Sequence, residues 1–212
     1  MIQIETFIFN PFQENTYLVS DDTGACILID PGCHFENERR QLKDYIENHR
    51  LQPQLIVHTH GHIDHVLGIN FIKEEYDIKA VMHPDDLSVL RSSKDFGRMV
   101  GLEIDQPGDP ELHVFDEEQV KFGNTSLEVF HVPGHSPGSI ALYHPDEGIL
   151  FPGDVLFRRG IGRTDLMGGD YSTLVRSIKE RLFTLPDETT VYPGHGEPTT
   201  IGEEKRENPV LP

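Results

Sequence analysis

Residues 58–65 read HTHGHIDH and run on into VLGIN. Four of the chain's 12 histidines and one aspartate lie within this stretch. His60 and His62 are separated by one residue, so in an extended segment both imidazoles project to the same side and can reach one metal ion. Gly61 between them carries no side chain and lets the backbone bend sharply. The stretch therefore predicts a metal site.

The last residues of the stretch are predicted to change direction. Asp64 and His65 stand where a helical pattern begins, shortly after the apolar strand LIV that precedes the histidines. Their side chains should point away from those of His60 and His62. A strand-to-helix corner with two pairs of ligands in two directions suits two adjacent ions better than one.

Three later segments supply further candidate ligands in a common setting. VPGHSPGS carries His135, LFPGDVLF carries Asp154 and VYPGHGEP carries His195. Each is a predicted strand followed by a flexible corner with one ligand-type side chain, and functional residues collect in loops that a rigid sheet positions. Imidazole and carboxylate without thiolate suit Zn²⁺, Fe²⁺ or Mn²⁺.

The remaining histidines and the two cysteines are interpreted as ordinary residues. His58 lies on the apolar strand and is predicted to pack or to support the ligands. Cys26 is predicted to be a small buried residue and Cys33 a loop thiol, since two cysteines are too few for a disulfide scaffold. Six histidines are predicted to have no role in the site: His34, His49, His83, His113, His131 and His144.

Composition narrows the class of protein. The 212 residues, 36 % of them hydrophobic and 25 % charged, suit one globular domain spanning 1–212. A net charge of −18 argues against a nucleic-acid partner, because phosphate binding needs a basic patch. The sequence has no apolar run of bilayer length and no signal-peptide pattern, so we predict no membrane partner and a cytoplasmic location.

Strand-rich blocks alternate with helical patterns along the chain, which predicts a layered α/β fold of two sheets with helices outside. Segment 92–111, with its glycines and prolines, is predicted to be irregular, and the C-terminal end to be short and polar. The predicted strands are 2–9, 15–20, 25–30, 55–57 and 79–82, several within 112–153, and 189–194; the predicted helices are 36–48, 65–75, 85–91 and 171–183.

At this point the sequence resembles the metallo-β-lactamase superfamily. HTHGHIDH fits its HxHxDH signature, and PGHS, FPGD and PGHG match its later motifs in order over nearly the whole chain. Within the superfamily the chain is similar to short glyoxalase II-like hydrolases (hydroxyacylglutathione hydrolases). The resemblance implies a four-layer αββα sandwich, two mixed sheets with helices on the outer faces, and metals at one edge.

The resemblance also implies which residues bind two divalent ions, with Zn²⁺ favoured and Fe²⁺ or Mn²⁺ compatible. Asp64 would in addition orient the attacking water. The implied ligands are His60, His62 and His135 for one ion, Asp64, His65 and His195 for the second, and Asp154 for both.

The reaction expected of such a site is hydrolysis. Two ions can share a water and lower its pKa towards ~7, giving hydroxide at neutral pH. A thiol has a pKa of about 8.5 and can leave as thiolate without prior protonation. Thioester hydrolysis is therefore the least demanding reaction for this site. The resemblance implies a small-molecule thioester of the S-lactoylglutathione type, and an ester or lactone stays open.

Arg163 is the residue of the sequence considered for contact with the thiol carrier of the substrate. Arg163 matches a basic position that glyoxalase II enzymes use for a glutathione carboxylate, but Asp165 replaces a tyrosine of that family. The alternative is that Arg163 and Asp165 form a salt bridge with each other. Only 17 residues follow His195, so no separate glutathione-binding helical domain is expected. Glutathione as thiol carrier, and monomer against homodimer, stay open.

Rival functions follow from the same motifs. GRTDL also resembles the persulfide dioxygenase branch, which uses a single iron, whereas the complete second ligand set favours the hydrolase. A β-lactamase does not fit the missing export signal, and an RNA-processing nuclease does not fit the acidic charge. A non-catalytic binding module would be expected to lose ligands, and none is lost here.

Overall fold

The first of two large sheets is built from the N-terminal half of the chain. The computed structural model describes residues 1–211. In this sheet β1, β2 and β3 are antiparallel neighbours, and β3 to β6 run parallel. The strands follow chain order: β1 (Gln3–Phe9), β2 (Glu14–Ser20), β3 (Ala25–Ile29), β4 (Gln52–Val57), β5 (Lys79–Met82) and β6 (Leu112–His113).

The second sheet comes from the C-terminal half and is also mixed. Its spatial order is β14-β13-β10-β9-β8-β7, and only β10 and β13 pair in parallel. The short strands β11 and β12 form a separate antiparallel pair. The strands are β7 (Gln119–Phe122), β8 (Thr125–His131), β9 (Ile140–His144), β10 (Ile149–Gly153), β11 (Leu156–Phe157), β12 (Gly160–Ile161), β13 (Thr190–Pro193) and β14 (Thr199–Thr200).

Six helices cover the outer faces of the two sheets. On the first sheet, Leu42 and Ile72 from two helices pack against Leu28 of β3. On the second sheet, Leu174 packs against Leu150 of β10. The helices are α1 (Glu36–Asn48), α2 (Ile63–Val66), α3 (Ile69–Tyr76), α4 (Leu87–Val100), α5 (Tyr171–Glu180) and α6 (Ile201–Glu207).

The sandwich follows from strands that are apolar on both faces. In β3, Cys26 and Leu28 face the outer helices, while Ile27 and Ile29 face the other sheet, because successive side chains of a strand alternate. All five residues of β3 are buried. A strand of this kind needs a covering layer on each side, so the predicted four-layer αββα fold is confirmed.

Aromatic rings fill the space between the sheets. Phe151 of β10 is 1 % exposed and belongs to the inner core. Its ring centroid lies 5.2 Å from that of Tyr17 in the first sheet and 5.5 Å from that of Tyr192 in its own sheet. The two sheets are thus joined by an aromatic cluster below the edge at which their parallel strands end.

The prediction for 92–111 is wrong in its first part, where α4 continues to Val100. Leu90, Ser93 and Gly97 recur at helical spacing and are all buried, so one face of the helix is covered. Gly101, with a φ of +78°, ends the helix in the left-handed region that favours glycine. A serine and a glycine on the buried face conceal the apolar pattern that a helix prediction needs.

Two other boundaries differ from prediction. The expected helix 65–75 is divided into α2 and α3 at Gly68, where an added Cβ would lie 2.5 Å from the carbonyl oxygen of Pro31. The polar end of the chain contains α6, whose first residue, Ile201, is fully buried against the second sheet. Tertiary packing therefore overrides the local pattern at both positions.

Two further features bear on the predictions. Cys26 and Cys33 are buried free thiols, and burial raises the pKa of both to about 12. Across residues 1–211, the helices are all too short or too polar to cross a bilayer.

Candidate metal centre

The HTHGHIDH stretch forms the predicted corner at the end of β4. His62 is the extended residue that precedes α2, and Asp64 and His65 lie within that helix. Gly61 is required because α4 passes close by: an added Cβ would lie 2.7 Å from the backbone nitrogen of Leu90. The bend expected at this glycine is thus fixed by a close approach of two backbones.

The other three candidate ligands reach the same edge from the second sheet. Asp154 directly follows β10, and β10 pairs in parallel with β13, whose end precedes His195. Parallel neighbours bring their carboxyl ends to one edge, which places these two side chains together. His135 comes from the loop between β8 and β9.

The first group consists of His60, His62 and His135. One nitrogen from each ring lies within 4.8 Å of the other two. His62 Nδ1 is 2.9 Å from His135 Nε2, and the rings of His60 and His135 are 4.8 Å apart at a 77° angle. The three imidazoles therefore converge on one point.

The second group consists of Asp64, His65 and His195, whose ligand atoms also lie within 4.8 Å of one another. His195 Nε2 is 3.1 Å and His65 Nε2 is 3.6 Å from Asp64 Oδ2. The helical turn of α2 separates this group from the first, which agrees with the two predicted directions.

Asp154 stands between the two groups. Its Oδ1 is 3.4 Å from His65 Nε2, and its Oδ2 is 3.7 Å from His135 Nε2 and 3.5 Å from His195 Nε2. One carboxylate thus faces ligands of both groups. This is the position expected of a residue that serves two ions.

The buried polar atoms of the centre fit divalent cations. His60 Nε2, His65 Nε2 and Asp154 Oδ1 are buried without a hydrogen-bond partner among residues 1–211. A buried polar atom without a partner costs about 1–3 kcal/mol. Bound cations that accept the lone pairs of these three atoms would explain why the atoms have no hydrogen-bond partner.

Burial keeps His60 and His62 in the neutral form that binds a metal ion. It lowers the pKa of His62 to about 3, and neighbouring histidines, chiefly His135, act in the same direction. The pKa of His60 is lowered well below its ordinary value for the same reasons, burial first. Neutral imidazoles offer a lone pair to a metal at neutral pH without first losing a proton.

The carboxylates in and beside the second group favour a positive charge at this position. Burial alone would lower the pKa of His65, but the carboxylates of Asp64 and Asp154 outweigh it and raise that pKa well above its ordinary value. Burial would raise the pKa of Asp154, yet the charge of His65 lowers it. Two carboxylates at the centre thus stay ionised and attract a cation.

Comparison with known proteins decides the family. The model of the metallo-beta-lactamase superfamily matches residues 9–195. The chain belongs to this superfamily. Its relatives include a probable metallo-hydrolase, YqgX, of Bacillus subtilis (strain 168), 39 % identical over 95 % of the chain and 93 % of the relative.

A second relative is named hydroxyacylglutathione hydrolase GloC, from Haemophilus influenzae, 35 % identical over 99 % of the chain and 98 % of the relative. Among solved structures, the BLEG-1 B3 metallo-beta-lactamase has a TM-score of 0.91 at 34 % identity, covering 99 % of each chain. TTHA1623 in a di-iron-bound form has a TM-score of 0.87 at 41 % identity, covering 98 % of this chain and 100 % of the other. The superfamily and these relatives indicate a metal-dependent hydrolase.

Sequence reasoning missed Asp30, a buried carboxylate behind the metal centre of this superfamily member. Its Oδ1 accepts the backbone N–H of Thr59 at 2.7 Å, and its Oδ2 lies 3.0 Å from His65 Nδ1. His58 is fully buried with its Nδ1 3.8 Å from Asp30 Oδ1, a supporting position. The sequence feature that could have identified Asp30 is the DPG at the end of β3, because β3 is the parallel neighbour of β4, which leads into the histidines.

Asp86 was also missed, and it ties two ligand loops together. Its carboxylate accepts the backbone N–H groups of Gly61 and Gly138, each at 2.6 Å, and the hydroxyl of Ser136 at 2.8 Å. Gly61 separates His60 from His62, and Ser136 follows His135. Asp86 therefore holds the first group together from behind.

Arg163 lies at the cavity beside the centre, but its side chain is occupied. Its Nε and Nη2 donate to the two carboxylate oxygens of Asp165 at 2.7 Å each. Its carbonyl oxygen is 2.8 Å from His135 Nδ1 and so orients that ligand. Of the two alternatives left open by the sequence, the structure contains the salt bridge.

Replacing Asp30 by asparagine is expected to weaken metal binding 10- to 100-fold, the typical effect of losing a hydrogen-bond partner of a ligand. The amide keeps the shape but removes the charge that fixes the His65 ring. Competition with a chromogenic chelator measures the affinity. Asp22→Asn, at an exposed turn, is the matched control, and equal affinities for both variants would show that Asp30 does not support the ligands.

Proposed function

We propose that this protein hydrolyses thioesters with two divalent ions, as glyoxalase II-type enzymes do. The observation that carries the proposal is Asp154, which faces two complete ligand groups at distances of 3.4 to 3.7 Å. The similarity to a protein named hydroxyacylglutathione hydrolase supports the thioester as substrate class. The predicted cytoplasmic location and small-molecule partner stay predictions.

The residues that would hold the ions are the seven described above, with Zn²⁺ favoured and Fe²⁺ or Mn²⁺ compatible with the same donors. When bound, such ions supply an activated water and polarise a carbonyl group. Asp64 lines the cavity together with His62, His135, Asp154 and His195. Its carboxylate is placed to accept a hydrogen bond from the attacking water and to orient it.

The cavity restricts the leaving group. Apart from the metal ligands, Arg163 is the single lining residue with a titratable side chain in the described chain, and a guanidinium does not release a proton near neutral pH. Apart from the metal ligands, the described lining therefore offers no general acid for the leaving group. When water adds to the carbonyl carbon and the carbon–sulfur bond breaks, the electron pair leaves on sulfur as a thiolate, which is stable enough to do so.

The persulfide dioxygenase alternative requires a single iron. The second ligand group argues against it, because Asp64, His65 and His195 are all present and converge. An ester or lactone hydrolase would share the metal centre, but an alkoxide is a poorer leaving group than a thiolate.

The test uses the purified protein loaded with zinc, iron or manganese. We expect about two ions per chain and thiol release from acyl thioesters, followed with a thiol-reactive dye. His62→Ala should release no thiol above background. One iron per chain with oxygen uptake on a persulfide would support the dioxygenase instead, and equal rates for wild type and His62→Ala would support a non-catalytic module.

Removal of the ions is expected to destabilise the fold. Each ion at 100 times its dissociation constant stabilises the native state by about 2.7 kcal/mol, so two ions correspond to roughly 10–20 °C in Tm for a chain of this size. Differential scanning calorimetry with and without chelator measures the shift. His62→Ala should show a smaller shift, and an unchanged wild-type Tm would mean that no ion holds the two ligand groups.

A further inference from the structure

A cavity of about 470 Å³ opens beside the metal centre, and its walls are mostly apolar. Of its 15 lining residues, five are candidate metal ligands and eight are apolar. Only Ser92 and Arg163 fall outside these two classes. A cavity of this size can hold a small organic ligand. The residues that line it therefore indicate the chemistry of the substrate group that lies next to the bond to be broken.

One wall comes from a single face of α4. Val89, Ser92 and Phe96 line the cavity and recur at helical spacing. The opposite side is formed by the loop before β2 and by the small β11–β12 pair with the segment that follows it. The lining residue Met167 is 52 % exposed, and Phe12 is 36 % exposed. Large apolar side chains grouped around a cavity mark a binding site for an apolar group.

The same cavity offers little to an anionic group. Arg163 is the one lysine or arginine that lines it in the described chain. Asp165 accepts from two of its five N–H donors, one on Nε and one on Nη2. A substrate carboxylate at Arg163 would meet the negative charge of Asp165, which offsets that of the guanidinium, and the protein as a whole carries a net charge of −18.

We propose that the cavity binds the apolar acyl group of an uncharged thioester, so that the enzyme selects substrates by hydrophobic acyl length and against anionic thiol carriers. The inference rests on the proposed thioester hydrolysis. Phe96 and Val89 act as specificity residues that contact the acyl chain, and the Arg163–Asp165 pair excludes carboxylates.

The first experiment compares acetyl, butyryl and hexanoyl thioesters of N-acetylcysteamine, a neutral thiol. Each methylene buried in the cavity is expected to raise kcat/KM about fourfold. Phe96→Ser should reduce the hexanoyl-to-acetyl ratio at least tenfold. Met99→Ser is the matched control, since Met99 lies on the same helix, is 83 % exposed and does not line the cavity. A ratio near one in the wild type would overturn the proposal.

The second experiment tests the charge. Asp165→Asn releases Arg163, so kcat/KM for S-butyrylglutathione should rise several-fold relative to kcat/KM for the neutral butyryl thioester. Equal changes for both substrates, or none, would show that the ion pair does not exclude carboxylates.

Binding is measured separately from turnover. The non-hydrolysable thioether S-hexyl-N-acetylcysteamine should bind the metal-free protein in calorimetry, and Phe96→Ser should weaken it while Met99→Ser does not. No detectable binding, or equal binding by both variants, would overturn the assignment of the cavity. Absence of hydrolysis with every thioester, while the thioether still binds, would instead overturn the proposed reaction and leave the apolar site standing.

Discussion

Asp154→Asn is expected to lower kcat/KM for thioester hydrolysis by about three orders of magnitude. Asp154 faces both ligand groups, with oxygens 3.4 Å from His65 Nε2 and 3.7 Å from His135 Nε2. Asparagine keeps the shape but loses the charge and one ligand oxygen. Loss of about 4 kcal/mol of transition-state stabilisation, a moderate part of what metal ions supply, corresponds to that factor.

Steady-state kinetics and metal analysis of the same preparation measure the effect. We expect fewer than two ions per chain together with the loss of activity. Asp146→Asn, at an exposed turn remote from the centre, is the control. An Asp154→Asn enzyme that keeps two ions and a tenth of the activity would contradict the placement of this residue between the ions.

Phe151→Ala is expected to lower the free energy of unfolding by about 3–5 kcal/mol, the range for removing a buried aromatic side chain. Phe151 is 1 % exposed, and its ring packs on Tyr17 of the opposite sheet and Tyr192 of its own. The cavity left by the ring would lie between two sheets whose spacing is set by other side chains, so it cannot collapse easily.

Urea unfolding of the metal-free protein measures this change without a contribution from ion binding. Met99→Ala, at an 83 % exposed position, should alter stability by less than about 0.5 kcal/mol. A loss below about 1 kcal/mol for Phe151→Ala would indicate that the two sheets repack around the gap, contrary to this expectation.

The parts of the fold that the sequence predicted are those with a strong local pattern. The apolar run LIV, the Gly61 corner and the loops around His135 and His195 carry their signal within a few residues. They are placed in the structure as expected, and so is the layered arrangement. Each ligand motif can be recognised from a few neighbouring residues, even though the ligands themselves are far apart along the chain.

The parts that the sequence did not predict depend on distant contacts. The second half of α4 buries Ser93 and Gly97, which carry no apolar signal. Asp30 and Asp86 support the ligands through hydrogen bonds to loops 25 to 52 residues away. An aspartate next to Pro-Gly is typical of a turn, and one at the start of a helix is typical of a cap. Only the folded structure therefore shows that Asp30 and Asp86 also support the ligands.

The division of the ligands between the two sheets has a consequence for biosynthesis. His195 follows His60 by 135 residues and is translated after it. A chain translated only as far as Asp154 therefore carries every ligand of the first group, but the second group stays open until His195 is made. The two ligand groups are thus completed one after the other during synthesis.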